Sequence, residues 1–406
     1  MRATVDIDRK TLVEMLEQAR RALNARASLA VLTNFLLEAR DGRLFVVATD
    51  LEMSVAAFRP AEVDGEAQAL VPARPFLDFV KALPEKRVTL TFHEQKETRT
   101  IMAGPYGEER EEEIEVVHRE VRVAAGATAT AFSSPHDPED FPLPDRIKGM
   151  RVVVDAETLQ EAIRRVTFAA SRDASRPVLQ GVLLEPAGAS LLMVATDGYR
   201  LAVQRVETLQ DVPPTPQDWI VPAQGLADIE KMLRKQKYRG KVVVDAFFPS
   251  EEENIPSRTA IRWPGVSVAL TNIEGSYPLW RRIVEDARTD VHVQVEAKAL
   301  ASALKGLKPA LPKSNMIRVH VNGKLEMVTS SVDVGETRVV VPIVGTDGRE
   351  YGEEYVIGVN WKYLTDVTKV LKSASLDIGL PPQGASPIVF SAGDAYRYLL
   401  MPMRER

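Results

Sequence analysis

The chain contains no cysteine, which excludes disulfide frameworks, thiolate metal sites and thiol nucleophiles together. Its histidines are few and scattered (His93, His118, His136, His292 and His320), with no paired-ligand spacing of the HExxH kind. No apolar run approaches the roughly 18 residues of a membrane-spanning helix. Asp6 and Asp8 sit where an export signal needs an apolar core. A cytoplasmic address without a membrane partner is therefore expected. GxGxxG, Walker A and GxSxG motifs are missing too. Acids are abundant but form no magnesium-binding or general-acid pattern. These absences point away from an enzyme, with no cofactor and no metal.

What remains is the balance of a globular chain. Its 406 residues, 45% hydrophobic and 27% charged, suit roughly two to four domains with sizeable cores. Net charge is −5, from 52 basic and 57 acidic residues. That argues against simple nucleic-acid wrapping, yet a local basic lining can coexist with an acidic exterior.

The most informative feature is an internal repeat. Leu36-Leu37-Glu38 and Leu183-Leu184-Glu185 lie 147 residues apart, as do Ala48-Thr49-Asp50 and Ala195-Thr196-Asp197, and Thr11-Leu12 and Thr158-Leu159. The match resumes at Val71-Pro72-Ala73 and Val221-Pro222-Ala223, then at Phe141-Pro142 and Tyr277-Pro278. The last pair implies a surplus of 14 residues in the second half of the first copy, which must include Gly107–Glu115 with six glutamates in nine residues. Such a run prefers solvent, as a protruding loop or a frayed hairpin. A weaker third copy carries Leu300-Ala301-Ser302-Ala303-Leu304, Leu325–Thr329 and Val359-Asn360. We therefore expect three similar domains, 1–147 (with an acidic insertion near 93–130), 148–287 and 288–406.

Each copy reads as a short alternating strand, a helix, a pair of strands, a second helix (Pro75–Leu83, Leu226–Leu233, Trp361–Leu371) and further strands. The first helices show apolar residues at helical spacing, such as Leu159, Ala162, Ile163 and Val166. This grammar predicts an α+β fold with helices covering one face of antiparallel sheet. Asp50 and Asp197 read as turn formers, and Asp197-Gly198 between apolar runs as a hairpin signal. Cations gather on the helices and their ends: Arg20, Arg21 and Arg26; Arg164, Arg165, Arg172 and Arg176; Lys231, Arg234, Lys235 and Lys237; Lys305, Lys308, Lys362 and Lys369. A solvated helix face explains any one of these. Their recurrence in all three copies suits sequence-blind phosphate contact.

Three segments carry a resemblance: Ser175-Arg176-Pro177-Val178-Leu179-Gln180-Gly181, Val194-Ala195-Thr196-Asp197-Gly198-Tyr199-Arg200-Leu201-Ala202, and Leu399-Leu400-Met401-Pro402-Met403-Arg404. Together with the threefold repeat, they make the whole chain resemble the bacterial DNA sliding clamps, the β subunits of DNA polymerase III. The resemblance implies the DNA clamp fold. Two three-domain crescents would join head to tail as a homodimer ring, with helices lining the hole and sheets outside. Such a ring holds polymerase on double-stranded DNA topologically, without base readout or chemistry. A phage- or plasmid-borne paralogue serving a restricted set of repair or replication partners is the alternative.

The resemblance further implies a groove that takes short peptide motifs from the DNA polymerase III catalytic subunit, the clamp loader, other polymerases and repair proteins. Matching positions are Leu179, Thr196, Gly198, Tyr199, Arg200 and Leu201 from the second copy, and Pro278, Arg282 and Ile283 from the following linker. The third copy adds Asn360, Tyr363, Ser386, Leu399, Leu400, Met401, Pro402, Met403 and Arg404. Methionines and leucines make adaptable apolar surfaces, and Arg200 and Arg404 could orient peptide carbonyls or acids. The first copy has Leu51-Glu52-Met53 where the second has Gly198-Tyr199-Arg200, so the site should not be repeated threefold. Arg26, Arg74, Arg172 and Arg176, with Lys235 and Lys237, are expected to face DNA. Tyr199 stands where the family often has histidine, Ala27 and Ala30 flank a loop often bearing proline, and Glu405 and Arg406 extend past the usual ending.

Overall fold

A computed structural model describes residues 2–23, 29–103, 110–143, 149–212, 218–248, 256–289, 291–321, 323–346, 355–371, 375–382 and 386–403. The first repeat comprises β1 (Arg2–Asp8), α1 (Arg9–Ala19), β2 (Asn34–Arg40), β3 (Arg43–Thr49), β4 (Met53–Pro60), β5 (Glu62–Asp64), β6 (Ala67–Pro72), α2 (Ala73–Ala82), β7 (Arg87–Ala103), β8 (Arg110–Ala125) and β9 (Thr128–Ser133). The second comprises β10 (Gly149–Asp155), α3 (Ala156–Val166), β11 (Gly181–Pro186), β12 (Gly188–Thr196), β13 (Arg200–Val212), β14 (Trp219–Pro222), α4 (Ala223–Gln236), β15 (Lys241–Phe247), β16 (Arg258–Trp263), β17 (Val266–Thr271) and a linker helix α5 (Trp280–Glu285). The third comprises β18 (Val291–Glu296), α6 (Ala297–Leu307), β19 (Met316–Val321), β20 (Leu325–Ser331), β21 (Gly335–Val341), β22 (Ile343–Thr346), β23 (Tyr355–Asn360), α7 (Trp361–Val370), β24 (Ser375–Leu380), β25 (Ile388–Ser391) and β26 (Tyr396–Leu400).

Local chemistry explains the helix ends. The Asp8 carboxylate caps α1, accepting the Thr11 N–H at 2.9 Å. α2 and α4 begin directly after Pro72 and Pro222, a few residues before the predicted starts, because a helix-entry proline lacks only an N–H that would go unpaired there. α4 runs on to Gln236 and closes where Lys237 turns left-handed, at φ 52°, with the Tyr238 N–H on the Leu233 carbonyl. On α3, Leu159, Ala162, Ile163 and Val166 are all buried, as their spacing predicts.

The chain folds as two compact units. One holds Met1–Gly149 with Val243–Phe247 and Arg258–Thr271, and the other Met150–Val242, Phe248–Ser257 and Asn272–Arg406. In the first, strands run β5-β1-β7-β8-β9 and β15-β16-β17-β4-β3-β2-β6. In the second they run β14-β11-β12-β13-β26-β25-β24-β18-β22 and β21-β20-β19-β23. Each unit thus contains one splice between repeats: β4 with β17, and β13 with β26. The two splices share a register. Val55 faces Val268 as Ala202 faces Tyr398, and Met53 faces Leu270 as Arg200 faces Leu400.

Side-chain packing repeats as well. Phe141 lies against Leu36, Val47 and Leu70, while Tyr277 lies against Leu183, Val194 and Ile220. The acidic surplus falls on a long hairpin: β7 and β8 pair from Thr89 with Ala124 out to Ala103 with Arg110. β1 reaches only to His93 and β9 only to Glu120, so the outer part is a two-stranded ribbon. Residues 107–109 of the acidic run lie outside the described residues.

Candidate partner groove and helix cations

The repeated Ala-Thr-Asp element builds a tight loop by side-chain-to-backbone bonding. In the second repeat, Thr196 Oγ1 donates to the Arg200 carbonyl at 2.6 Å and accepts the Gly198 N–H at 3.0 Å. Asp197 Oδ1 accepts the N–H groups of Tyr199 and Arg200 at 3.0 and 3.1 Å. The first repeat does the same with Thr49 and Asp50, which bind Leu51, Glu52 and Met53. The residue after the aspartate has positive φ in both loops, 91° at Gly198 and 77° at Leu51. The aspartates are turn formers, and the turn survives in the first repeat without glycine.

Arg200 departs from expectation. Only 8% exposed, its guanidinium is spent inside the protein. Nε meets Asp197 Oδ2 at 3.0 Å, Nη1 meets Asp366 Oδ2 at 2.9 Å, and Nη2 donates to the Phe168 carbonyl at 2.6 Å. Its carbon centre lies 4.4 Å from the Tyr363 ring centroid and 5.3 Å from that of Phe168. Burial would lower its pKa, but Tyr398, Asp366 and Asp197 raise it. Arg200 therefore ties the loop to α7, with its guanidinium turned inward. Burial also holds the neutral form of the Tyr398 phenol, pushing its pKa well up, while its O–H donates to the Tyr363 carbonyl at 3.0 Å.

Several other predicted groove residues form the frame. Thr196, Leu201, Leu399 and Leu400 are buried, with Leu201 opposite Leu399 in the sheet. Asn360 caps α7, its Oδ1 accepting the Lys362 N–H at 2.9 Å. Past β26 the chain runs between two repeats: the Met401 N–H reaches the Tyr199 carbonyl at 2.9 Å, and the Met403 N–H the Gly358 carbonyl at 2.8 Å. Tyr199 is 60% exposed, and Met401, Ile283 and Leu279 also show apolar surface. Leu179, Tyr363, Ser386, Pro402 and Met403 are half-buried, and Pro278 and Arg282 exposed. Arg404 lies outside the described residues.

Among the DNA-facing candidates, Arg74, Arg172, Arg176, Lys235 and Lys237 are exposed on α2, the segment after α3 and the end of α4. Arg176 is partly engaged, 3.4 Å from Asp173 and donating to the Asp197 carbonyl at 3.2 Å. Arg26 lies outside the described residues. Among the described residues, no group of three His, Asp or Glu is placed to hold a metal, and no helix is long and apolar enough to cross a membrane.

Sequence reasoning missed Phe168, Asp366, Trp280 and Glu185 as parts of this region. Asp366 had no repeat-specific signal, since Asp228 occupies the same place in α4 and likewise binds the lysine three residues on. Trp280 stood two residues from the predicted Pro278 and Arg282. Tyr199, Met401, Ile283 and Leu279 thus present apolar surface beside a loop held by backbone hydrogen bonds.

Comparison with known proteins follows the same lines. Two family models, the N-terminal and central domains of the DNA polymerase III beta subunit, match residues 3–105 and 153–278. The beta sliding clamp of Synechococcus elongatus is 28% identical over 395 residues, 95% of each chain. That of Chlamydia trachomatis is 24% identical over 401 residues, covering 98% of this chain and 86% of its own. Among solved structures, the DNA polymerase III beta subunit of Thermotoga maritima superposes with a TM-score of 0.79 at 23% identity, and the sliding clamp of Bacillus subtilis with 0.81 at 19%, each over all of both chains.

Proposed function

We infer the action of this chain from its family: it belongs to the DNA polymerase III beta subunits, the bacterial sliding clamps. It serves as a processivity factor, a homodimeric ring that encircles duplex DNA and tethers the replicative polymerase. Repeats 1–147, 148–287 and 288–406 are its three clamp domains. It acts by topology, without catalysis, and works where replication takes place in the bacterial cytoplasm.

The observation that carries the ring is the strand splice. The last strand of the second repeat (β17) pairs with β4 of the first, and that of the third (β26) with β13 of the second. Among the described residues, the last strand of the first repeat, β9, pairs with β8 alone, and β21, the third repeat's counterpart of β4 and β13, pairs with β20 alone. A second copy joined head to tail satisfies both edges, which would otherwise invite uncontrolled pairing. Transferring the shared register places Thr337 of one protomer opposite Thr130 of the other. The absence of cysteine makes the test clean. Thr130→Cys with Thr337→Cys should give a covalent dimer on oxidation, and each single variant should not. A double variant that stays monomeric under oxidation would refute this closure.

DNA contact is electrostatic and sequence-blind. Reversing Arg172, Arg176, Lys235 and Lys237 to glutamate should impair loading and retention, and direct binding should weaken steeply with salt as counterions are released. Partner peptides from the polymerase III catalytic subunit, the clamp loader and other polymerases or repair proteins dock beside Tyr199, Met401 and Met403, with Leu179 and Ile283 as apolar neighbours. Met403→Ala with Leu179→Ala should abolish binding of a polymerase-tail peptide while leaving dimer mass intact. Unchanged affinity in that folded variant would place the groove elsewhere.

A further inference from the structure

The helix α5 is six residues long, too short to hold itself in water, yet it carries Arg282 and Ile283 on the wall of the proposed groove. Something must fix it. Trp280 is its anchor, 7% exposed and packed in the cluster of Leu183, Leu192, Val194, Leu201, Ile220, Tyr277 and Leu399, with Val284 and Ala287 beside it. This packing holds the helix against the sheet, and polar contacts add a directional constraint at its first turn. The Trp280 indole N–H donates to Glu185 Oε2 at 3.1 Å. Arg281 donates from Nε to Glu185 Oε1 at 3.1 Å, with a second, shorter contact from Nη2. The Arg281 guanidinium also lies 4.7 Å from the Trp280 ring centroid.

Glu185 belongs to β11, where the sheet holds it opposite Leu192. One carboxylate therefore grips two successive residues of α5 from a rigid strand. The counterpart in the first repeat, Glu38, is committed elsewhere, to Arg40 on its own strand at 2.6 Å. The latch thus belongs to the repeat that bears the groove. Leu279, Arg282 and Ile283 on the same short segment remain exposed.

We propose that Glu185 is a positioning residue for partner binding, a latch that sets the orientation of α5 and hence the groove wall, without touching the peptide itself. This rests on the groove reading above. Both Glu185 and Arg281 are partly exposed, so the latch contributes little to global stability while deciding where a wall of the site stands.

The test uses the full-length dimer and a fluorescein-labelled synthetic peptide copying the C-terminal tail of the polymerase III catalytic subunit. Glu185→Ala should weaken peptide binding about five- to tenfold, the order expected when a preorganised wall must be ordered on binding, with melting temperature, dimer mass and retention on circular DNA unchanged. Glu185→Gln keeps an acceptor for the indole N–H and should recover most of the loss. Combining Glu185→Ala with Arg281→Ala should cost little more than Glu185→Ala alone, since both remove the same contact. Met403→Ala with Leu179→Ala is the control. If that control loses binding while Glu185→Ala binds normally, the latch is wrong. Loss in Glu185→Ala with no rescue by Gln and a lowered melting temperature would also overturn it, as general destabilisation. If the control binds unchanged, it is the groove itself that fails.

Discussion

Two loops with the same backbone do different work. Thr49–Met53 and Thr196–Arg200 are held by matching hydrogen bonds from a threonine and an aspartate. Each receives an N–H from the end of the spliced strand or the residue just past it: Thr271 to the Glu52 carbonyl at 2.8 Å, Met401 to the Tyr199 carbonyl at 2.9 Å. The final position differs. Met53 is one more buried apolar side chain, whereas Arg200 organises two carboxylates, a carbonyl and two rings. The backbone frame is generic, and the charged node is what distinguishes the second junction. The two repeats share a scaffold, and a few side chains tell them apart.

The largest expected effect separates those end positions. Arg200→Ala leaves Asp366 and Asp197 without their common buried cation and should cost about 3 kcal/mol or more, with loss of peptide binding. Met53→Ala should cost about 2 kcal/mol through its cavity alone. Equilibrium denaturation of both variants checks this. Equal losses, or an Arg200 variant as stable as the parent, would erase the distinction.

The middle positions should respond with opposite signs. Gly198→Ala forces a Cβ onto a backbone at φ 91° and should destabilise by about 1–2 kcal/mol. Leu51→Gly relieves the same strain at φ 77° but loosens the unfolded chain, leaving a gain of about 0.5 kcal/mol. Thermal melting of the pair decides. A destabilised Leu51→Gly would mean that the leucine side chain matters more than its backbone.

The smallest effect concerns alkaline pH. Tyr277 in the second repeat replaces Phe141 of the first, and its O–H donates to the Val194 carbonyl at 3.3 Å. Burial raises its pKa well above the ordinary 10.0, and those of Tyr396 and Tyr398 likewise. The folded state keeps these protons while unfolded phenols lose theirs. The stability they contribute is thus fully present below pH 10 and falls as pH rises beyond it. Tyr277→Phe should shallow that decline, whereas Phe141→Tyr offers no such benefit. Melting curves between pH 8 and about pH 11 read the slope.

Much of this was legible in the sequence because the repeat is a periodic signal. Offsets among Leu36, Thr49 and Phe141 foretold the shared packing and the shared loop, and apolar spacing foretold the buried face of α3. What was not legible is whatever depends on contact between distant segments. Arg200 and Asp366 are 166 residues apart, so no local pattern could turn the guanidinium inward. Glu185 likewise meets Trp280 across 95 residues. Strand partnership between repeats was also silent, since alternation marks β13 and β26 as strands without saying that they pair. The long hairpin was foreseen as an acidic surplus, but its pairing out to Ala103 was not.

The central claim is topological tethering, and retention on circular DNA tests it most directly. Dimer loaded onto nicked circular plasmid by a clamp loader should stay with the DNA through gel filtration in moderate salt, and a single restriction cut should release it. Release before linearisation, or retention on the linear product without blocked ends, would contradict a ring that encircles DNA.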